Sequence, residues 1–183
     1  MELDMSSNNP KSPRPNATMK MSPDGRARLR ATEKAIYRYY NDMGKNKGHC
    51  TWGVGILAHK GVCTKEELEK KVSVEMVDQE FERKIAETEA IIHRNIRVEL
   101  NQAQFDALCS LAYNTGATGA SKTFGYVNRG DFAGAANNMS SLINVTVVEK
   151  GRKKRVIAPG LIKRRAEESA PFRNEKATTA TRN

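Results

Sequence analysis

The first residue whose surroundings indicate acid chemistry is Glu33, in the stretch "EKAIYRYYND". If this stretch is helical, Leu29, Glu33, Ile36 and Tyr40 are spaced four, three and four and share one face. Glu33 then lies among apolar side chains, where burial disfavours a carboxylate and keeps a carboxylic acid in the form that donates a proton. Two alternatives stay open: an ion pair with a buried arginine, and a place at the edge of the apolar face.

Two further residues with chemical potential, Asp42 and Thr51, follow closely. Taken alone, Asp42 beside Asn41 and near Gly44 is typical of a turn. Thr51 taken alone is a strand threonine in the Gly-punctuated segment "TWGVG". The occurrence of Glu33, Asp42 and Thr51 together in one short segment is what favours a functional interpretation.

Four ordered motifs resemble the phage-type lysozymes, glycoside hydrolase family 24. The segment "EKAIYRYYND…TWGVG" is similar to that family's active-site segment, in which a helical Glu precedes an Asp turn and a T-x-G-x-G strand. The other three motifs follow in family order, and together the four span residues 29–172. They read "LNQAQFDALCSLAYNTGA", "NRGDFAGAA" and "PGLIKRRAEESAPF".

The resemblance implies an α+β, predominantly helical, lysozyme-like fold with a small β-sheet lobe and a helical lobe flanking a cleft. It also implies hydrolysis of the β-1,4 bond between N-acetylmuramic acid and N-acetylglucosamine of bacterial peptidoglycan, with inversion and without metal or cofactor. Glu33 would be the general acid, Asp42 the ionised partner and Thr51 the residue that holds the water. Relatives further imply saccharide contacts at Leu57, Tyr113, Asn114 and Thr123, with packing in the core as the alternative for Tyr113.

Three features depart from the family pattern. Eight residues, "MGKNKGHC", separate Asp42 from Thr51 where five are usual, so the loop either displaces Asp42 or bulges outward. Ile56 stands where a structural His is common. The segment "VTVVEKGRKKRVIA" replaces a Trp and a short Gly-rich turn, and its basic part, residues 149–156, is either a wall-facing patch or a solvated loop.

The chain divides into a disordered polar tail (1–21), a catalytic domain (22–172) and a flexible C-terminal tail (173–183). Capping residues predict helices that begin after Ser22, Thr64, Asn101 and Asp131. These helices are expected to end near Tyr40, Asn95, Gly116 and Ile143, with a last amphipathic segment at Leu161–Phe172. A small hairpin is expected between the first two helices, around Thr51.

The net charge of +10 and pI of about 9.7 favour an anionic partner such as the cell-envelope surface. Nucleic acid is disfavoured because the basic run has no interleaved aromatics. No apolar run spans a membrane, so no stable insertion is expected, and no secretory h-region is present. We expect a monomer made in the cytoplasm that reaches the wall through holin pores or a secretion machine. A protein that binds the wall without cutting it is the main alternative.

Three cysteines, Cys50, Cys63 and Cys109, lack metal-ligand spacing. A Cys50–Cys63 bridge is one interpretation, and free thiols are the expected one. Arg164 and Arg165 are expected to brace the closing helix against acidic side chains, with phosphate binding as the alternative.

Overall fold

The computed structural model describes residues 14–149 and 151–173. These residues form six α-helices, one short 3₁₀ helix and two antiparallel sheets. The helices are α1 Pro23–Thr32, α2 Lys65–Glu69, α3 Val74–Asn95, α4 Gln102–Asn128, α5 Phe132–Ser141 and α6 Pro159–Ser169, followed by the 3₁₀ helix Ala170–Phe172. The strands are β1 Ile36–Asn41, β2 Cys50–Gly53, β3 Ile56–His59, β4 Asn144–Glu149 and β5 Arg152–Ile157.

The first helix ends at Thr32, so the predicted helix from Ser22 to Tyr40 is wrong in its second half. Ser22 caps its beginning as expected, accepting a hydrogen bond from Gly25 N. Glu33 is the C-cap with an extended backbone (φ −85°, ψ 100°), and Ile36 begins strand β1. Apart from Arg38, the residues that follow, "IYRYY", are β-branched or aromatic and pack well on a sheet, which here outweighs their helical spacing.

The first sheet has the strand order β1-β2-β3 and places the segment after Glu33 beside Thr51. Tyr40 lies opposite Thr51 across β1 and β2, and Thr51 lies opposite Leu57 across β2 and β3. This sheet is the small β element that the sequence predicts, although it contains one strand more than a hairpin.

The predicted helix from Thr64 to Asn95 is interrupted. The capping box of Thr64 and Glu67 is present, but α2 ends at Glu69 and α3 begins after a second cap, Ser73. The interruption occurs where Val72 is buried and its N–H donates to Tyr37 O at 3.0 Å. A strand-like contact with β1 therefore replaces one turn of helix.

The helix after Asn101 continues past its predicted end. Asn101 and Gln104 form a capping box, as expected from the N-cap assignment. Gly116 adopts a left-handed φ of +68°, which kinks the helix, and α4 then resumes to Asn128. The kink at Gly116 is thus where the sequence expects the end of the helix.

The core forms where α3 and α4 pack together and against α5 and α6. On α3 and α4 the fully buried apolar side chains keep helical spacing. They include Val77, Ile85, Ile92, Phe105, Leu108 and Leu111. At the other end of the core, the Phe132 and Phe172 rings meet edge to face at 5.8 Å. This helical body supports the residues that line the site described below.

Residues 14–21, which the sequence analysis assigns to the N-terminal tail, contact the rest of the chain. Asn16 donates to Val98 O at 2.8 Å and accepts from Leu100 N at 2.9 Å, and Met21 is buried. Residues 14–21 therefore pack on the helical body, because these hydrogen bonds satisfy backbone groups between α3 and α4. Residues 1–13, and the predicted C-terminal tail beyond 173, lie outside the described residues.

Residues 149 and 151–156 of the basic segment belong to a β-hairpin, so the expected loop is wrong for these described residues. Strands β4 and β5 pair in continuous register from Asn144 opposite Ile157 to Glu149 opposite Arg152. The valines of β4 and the Val156-Ile157 pair favour this extended ribbon. Its β5 strand exposes the four consecutive cationic side chains Arg152, Lys153, Lys154 and Arg155. We call β4–β5 the basic ribbon.

Cys50 and Cys63 form a disulfide, so the expectation of free thiols is wrong for this pair. The β2–β3 turn brings the two residues together, with their Cα atoms 4.6 Å apart. Cys109 is free and buried in the core. Among the described residues, no helix has the length and apolar character that crossing a membrane requires.

Candidate active site

Glu33 lies at the junction of α1 and β1, where its side chain forms an ion pair. Arg164 Nη1 donates to Glu33 Oε1 at 2.9 Å. The Glu33 side chain is 21% exposed and that of Arg164 is 9% exposed. The apolar helix face expected around Glu33 is therefore wrong, because the chain leaves the helix at this residue. The alternative of an ion pair with a buried arginine is what the structure has.

A buried network on α6 holds that arginine in place. Arg164 Nε donates to Glu168 Oε1 at 3.0 Å, and Arg164 Nη2 donates to Ser110 O at 3.1 Å. Arg165 also donates to Glu168 and reaches Leu142 O at 3.2 Å. The expected bracing role of both arginines is thus present. Because a guanidinium is planar with donors in a fixed fork, the contacts to Glu168 and Ser110 fix the direction of the donor facing Glu33.

Asp42 and Thr51 are both hydrogen-bonded to the backbone of His49. His49 N donates to Asp42 Oδ1 at 2.7 Å, and Asp42 N donates to His49 O at 3.1 Å. Thr51 Oγ1 donates to the same carbonyl at 3.2 Å, and its side chain is buried. Asp42 itself is exposed.

These hydrogen bonds also answer the question raised by the long loop. Residues 43–48 bulge outward from a base closed by Asp42 and His49, and Tyr40 still lies opposite Thr51. The extra residues therefore leave the pairing of β1 with β2 intact.

Tyr113 on α4 lies near Glu33 with a hydroxyl that has no partner. Its ring packs on Phe81 at 5.9 Å between centroids, and its Oη is buried without a hydrogen bond among the described residues. Burial raises the pKa of Tyr113, and the nearby charge of Glu33 raises it further. An unsatisfied buried hydroxyl costs about 1–3 kcal/mol. Tyr113 itself belongs to the buried core, which agrees with the alternative of core packing.

Lys84 on α3 is a cation beside Tyr113 that sequence reasoning did not single out. Its Nζ lies 4.4 Å from the centroid of the Tyr113 ring. Burial lowers the pKa of Lys84, and the charge of Glu33 opposes that change. The signal for Lys84 was its spacing: it follows Phe81 by three residues and precedes Thr88 by four, on the buried face of α3.

The other residues expected to contact saccharide lie in different surroundings. Leu57 is 53% exposed on β3, opposite Thr51. Asn114 accepts a hydrogen bond from Arg165. Thr123 is fully buried and donates to Asn138 Oδ1 at 2.9 Å, so the prediction that it contacts substrate is wrong. It lies beyond the Gly116 kink, on the side of α4 that packs against α5.

A groove of about 570 Å³ continues from Asn114 along the base of the basic ribbon. Polar and cationic groups line it at Asn144, Arg155 and Arg165, and Val145 and Leu161 supply apolar surface. The groove therefore joins the α4 end of the site to the strongly charged strand β5.

Comparisons with known proteins agree with this architecture. A family model described as phage lysozyme matches residues 31–168. An endolysin of Acyrthosiphon pisum secondary endosymbiont phage 1 is 35% identical over 103 residues, covering 55% of this chain and 68% of the relative.

Two solved structures are similar over most of their length. The endolysin from Escherichia coli O157:H7 phage FAHEc1 superposes with a TM-score of 0.67 at 28% identity, covering 86% of this chain and 95% of the other. The muramidase domain of SpmX from Asticaccaulis excentricus shares the fold, with a TM-score of 0.64 at 24% identity over 84% of this chain and 97% of that one. The expected lysozyme-like α+β fold is thus confirmed. The chain belongs to the phage lysozyme family, whose members are glycoside hydrolases that degrade peptidoglycan.

Proposed function

We propose that this lysozyme hydrolyses the β-1,4 bond between N-acetylmuramic acid and N-acetylglucosamine, with Glu33 as general acid. The observation that carries the proposal is the placement of Glu33. A buried guanidinium holds one of its oxygens, and its partly exposed side chain lies near the unpartnered hydroxyl of Tyr113. A bound sugar would meet an oriented carboxyl group, and it would reach the buried Tyr113 hydroxyl once the side chains that cover this hydroxyl move.

In the proposed reaction Glu33 protonates the glycosidic oxygen as the bond to the anomeric carbon breaks. A water held by Thr51 adds to that carbon from the opposite face, and Asp42 takes the proton that the water loses. The exposed position of Asp42 suits a group that stays ionised. Inversion by this route requires the two carboxyl groups to be roughly 6.5–9.5 Å apart, which leaves room for the water.

The sugar chain would lie between the β1-β2-β3 sheet and α4. Leu57 supplies exposed apolar surface on the sheet side, and Tyr113 and Asn114 supply polar groups on the helix side. Lys84 adds a half-buried cation near Tyr113. No cofactor or metal is needed for this chemistry, because the two carboxyl groups perform the acid and base steps.

The net charge and the similarity to endolysins support a proposal for where the protein acts. A net charge of +10 attracts the anionic envelope surface, and the basic ribbon concentrates part of that charge. We propose that the protein acts as a monomer on the cell wall after release from the cytoplasm, in the manner of a phage endolysin rather than a secreted bacterial effector.

The proposal is tested by measuring reducing ends released from purified peptidoglycan. Glu33→Gln keeps the shape of the side chain and removes its acid, so release should fall roughly 100- to 10,000-fold. Glu87→Gln, at an exposed position of α3, is the matched control and should retain wild-type activity. No release by the wild type would contradict the enzyme assignment and favour a wall-binding role. Equal release by Glu33→Gln would contradict the assignment of the acid.

A further inference from the structure

The basic ribbon carries exposed apolar side chains as well as its four cations. Val145, Val147 and Val148 of β4 are 40%, 37% and 63% exposed, and Ile157 of β5 is 58% exposed. Among the described strands β4 and β5 pair only with each other, so no third strand covers either edge. Exposed apolar surface beside cationic groups marks a candidate contact surface. The proposed hydrolysis assigns no role to these side chains.

The four cations of β5, at positions 152–155, form no ion pair with any carboxylate whose side chain the structure describes. By contrast, Arg26, Arg83 and Arg164 each form ion pairs with acidic side chains of the chain itself. The charge of the ribbon is therefore available to anionic groups of a partner.

The strand register divides the side chains of the ribbon between two faces. Side chains directly opposite each other in an antiparallel pair share a face, and successive residues of a strand alternate between faces. Val148 lies opposite Lys153, and Thr146 lies opposite Arg155. Ile157 follows Arg155 by two residues, so it shares this face as well. We call this face the Val148 face.

The opposite face of the ribbon offers less exposed apolar surface. It carries Val145 and Val147, which are less exposed than Val148 and Ile157, and the partly buried Val156. The Val148 face thus combines the two most exposed apolar side chains of the described ribbon with two cations.

This combination matches an anionic phospholipid surface better than an anionic polymer. A polymer of phosphate groups would contact the cations and leave the apolar side chains in water. At a lipid surface, Lys and Arg reach the phosphates while their stems and neighbouring apolar side chains lie toward the acyl chains.

The size of the ribbon limits how it can contact a bilayer. Each strand has six residues, whereas a strand that crosses a bilayer needs about 9–11. The uncovered strand edges also carry backbone groups that need water as a partner. The ribbon can therefore lie in the headgroup region but cannot cross the hydrocarbon core.

We propose that the Val148 face of the basic ribbon binds the surface of an anionic phospholipid bilayer. Val148 and Ile157 lie at the boundary between headgroups and acyl chains, and Lys153 and Arg155 bind lipid phosphates. This contact uses no residue to which the hydrolysis of peptidoglycan is assigned, so the two activities can be lost separately.

The test sediments the full chain, with its disulfide intact, with vesicles at an ionic strength of roughly 0.15 M. The vesicles contain phosphatidylcholine alone, or phosphatidylcholine and phosphatidylglycerol in equal amounts. The wild type should bind only the vesicles with phosphatidylglycerol. Because vesicles contain no glycan, the result does not depend on the hydrolysis proposed for Glu33.

Two charge variants within the ribbon locate the contact. Each cation near an anionic leaflet strengthens binding about fivefold, so Lys153→Gln with Arg155→Gln should weaken binding to phosphatidylglycerol vesicles about 25-fold. Arg152→Gln with Lys154→Gln removes the same charge from the opposite face and should weaken binding by less than about fivefold.

A second pair of variants separates a lipid surface from a simple polyanion. Val148→Thr keeps a β-branched side chain and removes apolar surface, so it should weaken vesicle binding about 3- to 10-fold. It should leave the binding of polyphosphate unchanged. Val147→Thr makes the same replacement on the opposite face and should bind vesicles like the wild type. Circular dichroism and thermal melting confirm that each variant is folded.

Four outcomes would overturn the proposal. The first is a wild type that does not prefer phosphatidylglycerol vesicles, and the second is an equal loss of binding in the two charge variants. The third is a Val148→Thr variant that binds vesicles as tightly as the wild type, which would identify the ribbon as a polyanion site. The fourth is a Val148→Thr variant that loses polyphosphate binding and vesicle binding to the same extent.

Discussion

At the scale of single residues, Arg164 is the side chain on which the proposed chemistry most depends. It connects Glu33 to Glu168 and Ser110, although it lies 131 residues from Glu33 in the sequence. Its contribution is to the position of the acid, since a displacement of about 1 Å at a reacting group can cost about 100-fold in rate.

Arg164→Lys tests this positioning role. Lysine keeps the positive charge but cannot donate in three directions from one rigid plane, so we expect kcat to fall about 10- to 100-fold. Arg173→Lys, at an exposed residue after α6, makes the same replacement and should leave kcat unchanged. The measurement is kcat on soluble peptidoglycan fragments, with thermal melting to confirm the fold. A folded Arg164→Lys variant with normal kcat would contradict the role.

Tyr113 yields a second prediction at this scale, in which stability and binding move in opposite directions. Tyr113→Phe removes the unpartnered buried hydroxyl, so the free energy of unfolding should rise by about 1 kcal/mol. Losing a hydrogen bond to saccharide should raise KM about 2- to 10-fold. Urea denaturation and fragment kinetics measure the two effects. Tyr37→Phe, at an exposed residue of β1, is the control. An unchanged KM would remove Tyr113 from the substrate contacts.

At the scale of elements, the loop between β1 and β2 sets the position of Asp42. Gly48 adopts φ +83°, and a Cβ added to it would collide with Asp42 Oδ1. Gly44 in the same loop adopts φ +95°, but a Cβ there would meet no atom within 4 Å. The two glycines therefore share backbone strain and differ in their contact with Asp42, the proposed catalytic base.

This difference makes a matched pair of variants. Gly44→Ala should lower the free energy of unfolding by about 1–2 kcal/mol, the cost of a left-handed conformation for an L-residue. Gly48→Ala should lower it by more, because its Cβ also collides with Asp42 Oδ1. Only Gly48→Ala should also lower the rate of peptidoglycan hydrolysis, because it displaces the Asp42 carboxylate. Equal activity in the two variants would mean that the rate does not depend on where this loop places Asp42.

The basic ribbon is the other element with a separable role. Lys153→Glu with Lys154→Glu should weaken binding to whole walls and reduce its salt dependence. Lys65→Glu with Lys163→Glu gives the same net charge outside the ribbon and should weaken binding less.

Wild-type lysis should decrease as ionic strength rises through roughly 0.15 M, because exposed charges are screened. Hydrolysis of short soluble fragments should be the same in both double variants. Salt-independent lysis would exclude the ribbon from wall attraction.

At the scale of the whole molecule, the Cys50–Cys63 disulfide stabilises the β1-β2-β3 sheet. The two cysteines are 13 residues apart in sequence, and in the chain-entropy model closing a loop of this size contributes about 3 kcal/mol. Reduction should therefore lower the free energy of unfolding by about 3 kcal/mol, as measured by urea denaturation. Cys109→Ser removes the free thiol and keeps the disulfide. It is the control for any contribution of Cys109, and reduction should lower its stability by the same amount. No change on reduction would show that the backbone alone maintains the sheet.

Sequence reasoning recovered the features that depend on local chemistry. The caps at Ser22, Thr64, Asn101 and Asp131 are present, because a side-chain oxygen and the N–H groups that it accepts from are close in sequence. The motif order identified the family for the same reason: each motif is a local pattern. The basic ribbon was missed because its cationic residues obscured the β-branched pattern.

The sequence by itself determined which residues could carry the chemistry and where most helices begin. It also determined the excess of positive charge and the membership of the family. The tertiary structure decided what surrounds each group. Glu33 lies beside Arg164 rather than on an apolar helix face, Thr123 is buried, and Cys50 meets Cys63. The physical reason is that helical spacing describes neighbours only while the chain stays helical. Once β1 forms, distant segments supply the partners, and no local pattern encodes them.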